Sequence, residues 1–319
     1  MDKKNSLDES LMWGMLGTTM NSGIPILMSL NLVRDTFPAY EKEIQYLHDA
    51  VREGECLAIP LDTYKDSFHP LAVPLVDIGE ETGALPEMLN KCSEVAKRGG
   101  SSESLLWYSL GTLTDAGLPL LRSLRVAQKA FPNYEKEMAD IGEFVEGGNT
   151  FTESLELKKE SFNPLVPHIM KNAEANACLE KGFFRSSNLV EYKENVDTSI
   201  FYTQKQKDKL TFYKYLSCLM DENIPLLKGI RITNISMNEP YKSISSKIEE
   251  DLENGSMFSE AMAQHDVFTP LEYNMIRAGE AGGVLDIVMT RTGDHLRKVY
   301  NTNAMKEAYE TIEQIAKIH

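Results

Sequence analysis

A chain of 319 residues with 48 acidic and 33 basic side chains carries a formal net charge of −15. Phosphate backbones are bound by clustered Lys and Arg that release counterions, so nucleic acid is not an expected partner, and anionic lipid surfaces are disfavoured by the same sign. No run of about 18 apolar residues occurs, so no membrane span is expected within the chain.

The N-terminal residues Met1-Asp2-Lys3-Lys4-Asn5-Ser6 have no apolar stretch behind their charges and do not read as a signal peptide. Four cysteines, at 56, 92, 178 and 218, lie far apart with no Cys-x-x-Cys pair, as suits reduced thiols in the cytoplasm. An apolar fraction of 42% is enough to build a core.

The first predicted helix carries Met12, Leu16 and Thr19 at i, i+4, i+7, one face of a helix. Gly23-Ile24-Pro25 then stops it: glycine can take the left-handed conformation that closes a helix, and the proline is expected in the first turn of the next one. Phe37-Pro38 opens a third helix that ends near Gly54, and a short helix follows at about 57–63. Phe68 and Pro70 introduce a fifth, carrying Leu75 and Val76, which runs into Gly79-Glu80-Glu81-Thr82-Gly83-Ala84-Leu85. A sixth starts at Leu85.

The pattern then returns twice. Leu106, Leu110 and Leu113 precede Gly117-Leu118-Pro119; Phe212, Leu216 and Leu219 precede Asn223-Ile224-Pro225. In each copy a glutamate stands 55 residues beyond the proline: Glu80, Glu174 and Glu280. Around the last is Gly279-Glu280-Ala281-Gly282-Gly283-Val284-Leu285, whereas the middle copy reads Ala173-Glu174-Ala175-Asn176-Ala177-Cys178-Leu179. Such a fixed period marks tandem copies of one supersecondary unit. The copies are 94 and 106 residues apart, which places an insertion of about a dozen residues near 185–205. Lys97-Arg98-Gly99-Gly100-Ser101-Ser102 reads as a linker.

The expected fold is all-α, three tandem six-helix units at 6–100, 101–198 and 199–319, the last with an extended C-terminal helix. That helix has no stop signal before His319, so a membrane anchor beyond it stays open; its Glu307, Glu310 and Glu313 make it too acidic to lie on a membrane surface.

Taken together, a helix ending in Gly-Ile-Pro or Gly-Leu-Pro, a Phe-x-Pro, and then Gly-Glu-x-x-Gly-x-Leu resemble the cytoplasmic domain of type II secretion system protein F, shared by type IV pilus assembly platform proteins. The resemblance implies six-helix antiparallel bundles and a non-catalytic scaffold. Its implied partners are a secretion or pilus assembly ATPase and other machine subunits; family members sit in the inner membrane, and this chain, with no span expected, is expected in the cytoplasm, peripheral to that membrane. Family proteins usually carry two such domains followed by membrane helices; here there are three copies. The second reading is a soluble α-repeat adaptor serving another complex, and self-association is open in both.

No enzyme is expected. The six histidines show no zinc-ligand spacing, and neither a phosphate loop nor a nucleophile elbow occurs. No cofactor or metal is implied. The family-motif residues Gly23, Pro25, Gly79, Glu80, Gly83, Gly117, Pro119, Glu174, Pro225, Gly279, Glu280 and Gly283 are read as structural. In that reading the glycines turn the chain and each carboxylate accepts N–H groups at a neighbouring helix start. Trp13 and Trp107 read as one position out of step, and both are expected in a core or between copies.

Overall fold

The computed structural model describes residues 6–98, 102–200 and 202–318. Residues 99–101, in the expected linker, lie outside the described residues, as do residues 1–5, Phe201 and His319. Regular structure among the described residues is entirely helical, as an all-α fold requires. The first copy contributes α1 (Ser6–Asn21), α2 (Ile26–Thr36), α3 (Glu41–Arg52), α4 (Ala58–Thr63), α5 (Ala72–Thr82) and α6 (Leu85–Lys97). The second contributes α7 (Ser102–Asp115), α8 (Leu120–Ala130), α9 (Glu135–Glu146), α10 (Phe151–Glu156), α11 (Val166–Ala175) and α12 (Leu179–Thr198). The third contributes α13 (Gln204–Asp221), α14 (Leu226–Ile235), α15 (Tyr241–Glu253), α16 (Phe258–Ala263), α17 (Pro270–Gly282) and α18 (Leu285–Ile318).

Each opening hairpin closes in the same way. Gly23, Gly117 and Asn223 take φ of 85°, 91° and 59°. The N–H groups of Ile24, Leu118 and Ile224 then reach back to Thr19, Leu113 and Leu219 carbonyls at 3.0–3.1 Å, closing the helix end as a Schellman motif. One expectation shifts by a residue. Pro25, Pro119 and Pro225 are N-caps with ψ of 142–145°, outside the first turn, and each carbonyl accepts the N–H four residues on. An extended ψ is the conformation an N-cap requires, and the proline ring tolerates it.

Packing gathers the chain into two compact units, Met1–Lys158 with Ala173–Ser187, and Lys159–Asn172 with Asn188–His319. The cuts fall between α10 and α11, within α11 and within α12, all in the second copy, where the sequence suggested no boundary.

In the first unit the predicted faces are buried: Met12, Leu16, Leu106, Leu110 and Leu113 are wholly inaccessible. Helices α1 and α6 approach so closely at Gly17 that a Cβ there would stand 2.9 Å from the Pro86 carbonyl. Ser93 bonds the Ser10 carbonyl at 2.7 Å, and the second copy repeats this with Ser187 and Ser104 at 2.8 Å. Trp13 and Trp107 are fully buried and, contrary to the reading above, in step: they are 94 residues apart, as Pro25 and Pro119 are. Each donates its Nε1–H to a glutamate one turn earlier, Glu9 or Glu103, at 3.1 Å.

Glu9 also accepts the His69 N–H at 2.6 Å. Burial raises its pKa, against the lowering effect of the bonds from His69 and Trp13. Burial lowers the neighbouring His69 imidazole to about 4; its Nδ1 accepts the Leu71 N–H at 3.2 Å, so the ring is neutral. One repeat on, Asn163 accepts the Leu165 N–H through Oδ1 at 3.1 Å, the same bond without a titrating group.

The second unit is built on Phe212, Tyr213, Tyr241 and Phe268, whose rings lie 5.7–6.5 Å apart. Lys209 and Tyr213, 200 residues beyond Glu9 and Trp13, reverse the arrangement of the first copy. The acid now comes from α17. Glu272, almost fully buried, pairs with Lys209 at 3.0 Å and accepts the Tyr213 hydroxyl at 3.1 Å and the Thr269 N–H at 2.8 Å. Burial and then Glu272 push the Tyr213 phenol well above its ordinary value.

Below pH 6.5 the unfolded chain protonates His69 while the folded chain refuses the proton until about pH 4, so this residue withdraws stability as pH falls through that window. Glu9 has the opposite sign, because its raised pKa makes its contribution greatest at low pH and lost as pH rises. Replacing His69→Asn keeps the acceptor and removes the titration. The expected result is a shallower loss of stability between pH 6.5 and 4, by up to about 3 kcal/mol. Denaturant unfolding followed by tryptophan fluorescence reads it, since both tryptophans belong to the first unit. Equal pH slopes in the two proteins would refute the assignment.

Candidate functional site

The Gly-Glu motif sits where three helices meet, and its carboxylate is aimed at the shortest of them. Helices α4, α10 and α16 have six residues each, far below the roughly 12–15 at which an isolated helix becomes marginal. Each begins with amide groups that no intrahelical carbonyl can satisfy. Glu80 accepts the N–H groups of Leu57 and Ala58 at 2.5 and 3.0 Å. Glu174 accepts those of Phe151 and Thr152 at 2.8 and 3.0 Å, and Glu280 those of Phe258 and Ser259 at 2.7 and 3.2 Å. The negative charge also faces the positive end of the helix dipole.

The flanking residues have two separate duties. Gly79 lies against the start of α6, where a Cβ would fall 2.8 Å from the Leu85 Cα; at Gly279 a Cβ would meet Val288 at 3.0 Å. Gly83 and Gly283 instead take the left-handed conformation, with φ of 72° and 66°. In the second copy Ala177 holds that conformation at φ 52° despite its Cβ, and Ala173 is buried in the close-approach position. The turn is therefore kept in all three copies, and only one of them carries strain. Gly23, Pro25, Gly117, Pro119 and Pro225 form the hairpin corners and take no part in these turns.

Chemically the motif is occupied. Both oxygens of each glutamate already accept an amide proton, which suits a fixed acceptor. Among the described residues, no group of three or more His, Cys, Asp or Glu side chains is arranged to hold a metal ion. Sequence reading missed the buried Glu9–Trp13–His69 group and the Lys209–Glu272 pair. The one signal was a glutamate four residues ahead of each tryptophan, the spacing of neighbours on a helix.

A repeated all-α architecture, with its recurrent acid directed to backbone amides, defines a helical scaffold class. The family model described as type II secretion system (T2SS), protein F, matches residues 14–99, 108–200 and 212–311. The chain belongs to that family, and is a non-catalytic interaction scaffold related to the platform protein of type II secretion and type IV pilus assembly. It is 22% identical to the type IV pilus assembly protein PilC of Pseudomonas aeruginosa over 92% of this chain and 80% of that protein. To the type II secretion system protein F of Xanthomonas campestris it is 24% identical, over 88% and 70%. The protein transport protein HofC homolog of Escherichia coli is also 24% identical, over 92% and 74%. No helix among the described residues is long and apolar enough to cross a membrane.

A Cβ at Gly83 would meet nothing within 4 Å, so the cost of adding one is purely conformational. Ala177→Gly should stabilise the protein by about 0.5–1 kcal/mol, and Gly83→Ala should destabilise it by about 1 kcal/mol. Denaturant midpoints at constant m-value check both. A destabilising Ala177→Gly would contradict the strain.

Proposed function

We propose that this chain is an assembly-platform scaffold of a type II secretion or type IV pilus machine, built from three copies of one six-helix antiparallel bundle at 6–100, 101–198 and 199–319. The observation that carries the reading is the threefold match of the protein F family model, in register with the three hairpin corners and three glutamate turns. The partner is a cytoplasmic secretion or pilus assembly ATPase, with other machine subunits or further copies of the chain at remaining surfaces. The place of action is the cytoplasmic side of the inner membrane, with peripheral attachment.

Binding in such a scaffold is geometric. Apolar side chains that the bundles leave uncovered supply contact area, for example Met28 and Leu32 one turn apart on α2, Ile235 at the end of α14 and Leu271 on α17. Charged replacements there, made one face at a time, should weaken capture of the purified cognate ATPase at least tenfold for one face or more, with unchanged circular dichroism. Undiminished capture by every variant, or none by the parent chain, would refute the partner assignment.

The motif residues have a structural role in this reading, so the glutamates should affect folding and leave binding alone. Glu80→Gln and Glu280→Gln each give up a charge-assisted acceptor for two amides, a loss of about 1.5–3 kcal/mol. Each variant should melt earlier yet, below its melting temperature, bind the ATPase as the parent does. Loss of binding without loss of stability would make the glutamate a contact residue instead.

A further inference from the structure

Within the first unit, α5 of the first copy and α8 of the second enclose an open groove of about 700 Å³. It continues past Leu118 and Arg122 at one end and towards His69 and Pro132 at the other. Its floor is apolar, formed by half-buried Val73, Pro74 and Val126. Its two banks have opposite charge. On α8, Arg122 and Lys129 are exposed seven residues apart, two turns along one face, while Arg125 between them is paired with Glu146. Opposite them stand exposed Asp66 and Asp77, with Asp62 on the same bank 4.0 Å from Lys65, so that three acids and one base line it. Asp77 lines the same stretch as Arg122 and Lys129, yet among the described residues no ion pair within 4 Å crosses the groove.

We propose that this groove docks one amphipathic α-helix of a partner protein. That helix is apolar on the face towards the floor, acidic on the edge that meets α8 and basic on the edge that meets α5. The occupant is helical because both walls are helices, with no backbone edge to satisfy an extended peptide laid on an apolar floor; a helix brings its own hydrogen bonds. It is bipolar because each bank repels its own sign. Turning a helix end for end exchanges its edges, so the banks also fix the direction in which it lies. The next pair of copies repeats the pattern only in part: Lys228 and Glu160 keep the charges of Arg122 and Asp66, but Lys171 replaces Asp77 and Ile235 replaces Lys129. A net charge of −15 alone would favour any basic partner, and the groove selects differently. The proposal rests on the scaffold reading only in expecting a protein partner.

The test uses the whole chain and three fluorescein-labelled, 16-residue helical peptides with one shared leucine face. One has an acidic and a basic edge, one has two acidic edges and one has two basic edges. Fluorescence anisotropy should show the bipolar peptide binding at least tenfold more tightly than either other. The variant Arg122→Glu/Lys129→Glu changes only exposed side chains, and should move the preference at least tenfold towards the peptide with two basic edges. Equal binding of all three, tightest binding of the basic peptide by the parent, or a preference the variant leaves in place would overturn the proposal. So would a dimer, seen by sedimentation, that the same variant dissolves, since a second copy would then fill the groove. Failure of the scaffold reading shows separately, as loss of ATPase capture by a chain whose peptide preference is intact.

Discussion

One carboxylate spread across two adjacent amides is the interaction on which each repeat depends. Six residues cannot hold a helix in water, because nucleation fixes several residues before propagation compensates. The acids at 80, 174 and 280 satisfy orphan amides at that nucleus with charge-assisted bonds. They come from a helix some twenty residues farther on, so one contact both starts the short helix and fixes the helix that follows it. The left-handed residue three positions after each acid then turns the chain into the last helix of the copy.

Where the copies diverge, the interaction survives and its surroundings change. The middle copy keeps the acid and the left-handed turn, but an alanine now holds the strained conformation. In the third copy the charge beside the central aromatic ring is inverted, with Lys209 in place of Glu9 and a buried acid supplied from α17. A buried pair of this kind contributes little net stability over an apolar core, but a lone charge there is heavily penalised.

Repetition also creates surfaces that no single copy owns. A seam between neighbouring copies inherits one wall from each, and the walls vary independently in sequence while the backbone spacing is held by shared turns. The groove of the first unit, acidic on one bank and basic on the other, arises in this way.

The helix order, the three hairpin corners and the three glutamate turns were legible in the chain, because each is encoded by near neighbours. A left-handed closing residue and an i, i+4, i+7 face are local geometry, and Gly23 and Met12 announce them wherever the chain goes, while Pro25 marks the next helix start to within one residue. The pairing of Glu9 with His69, the salt bridge from Lys209 to Glu272, the close approach at Gly79 and the division through α11 and α12 were not legible. Residues some sixty positions apart, or on two packed helices, acquire their partners only when burial removes water, and the cost of an unpaired charge is incurred only there. The sequence by itself determined the order of the helices and the corners between them; the tertiary structure decided which charges are buried and which walls face each other, because desolvation is a property of the assembled core.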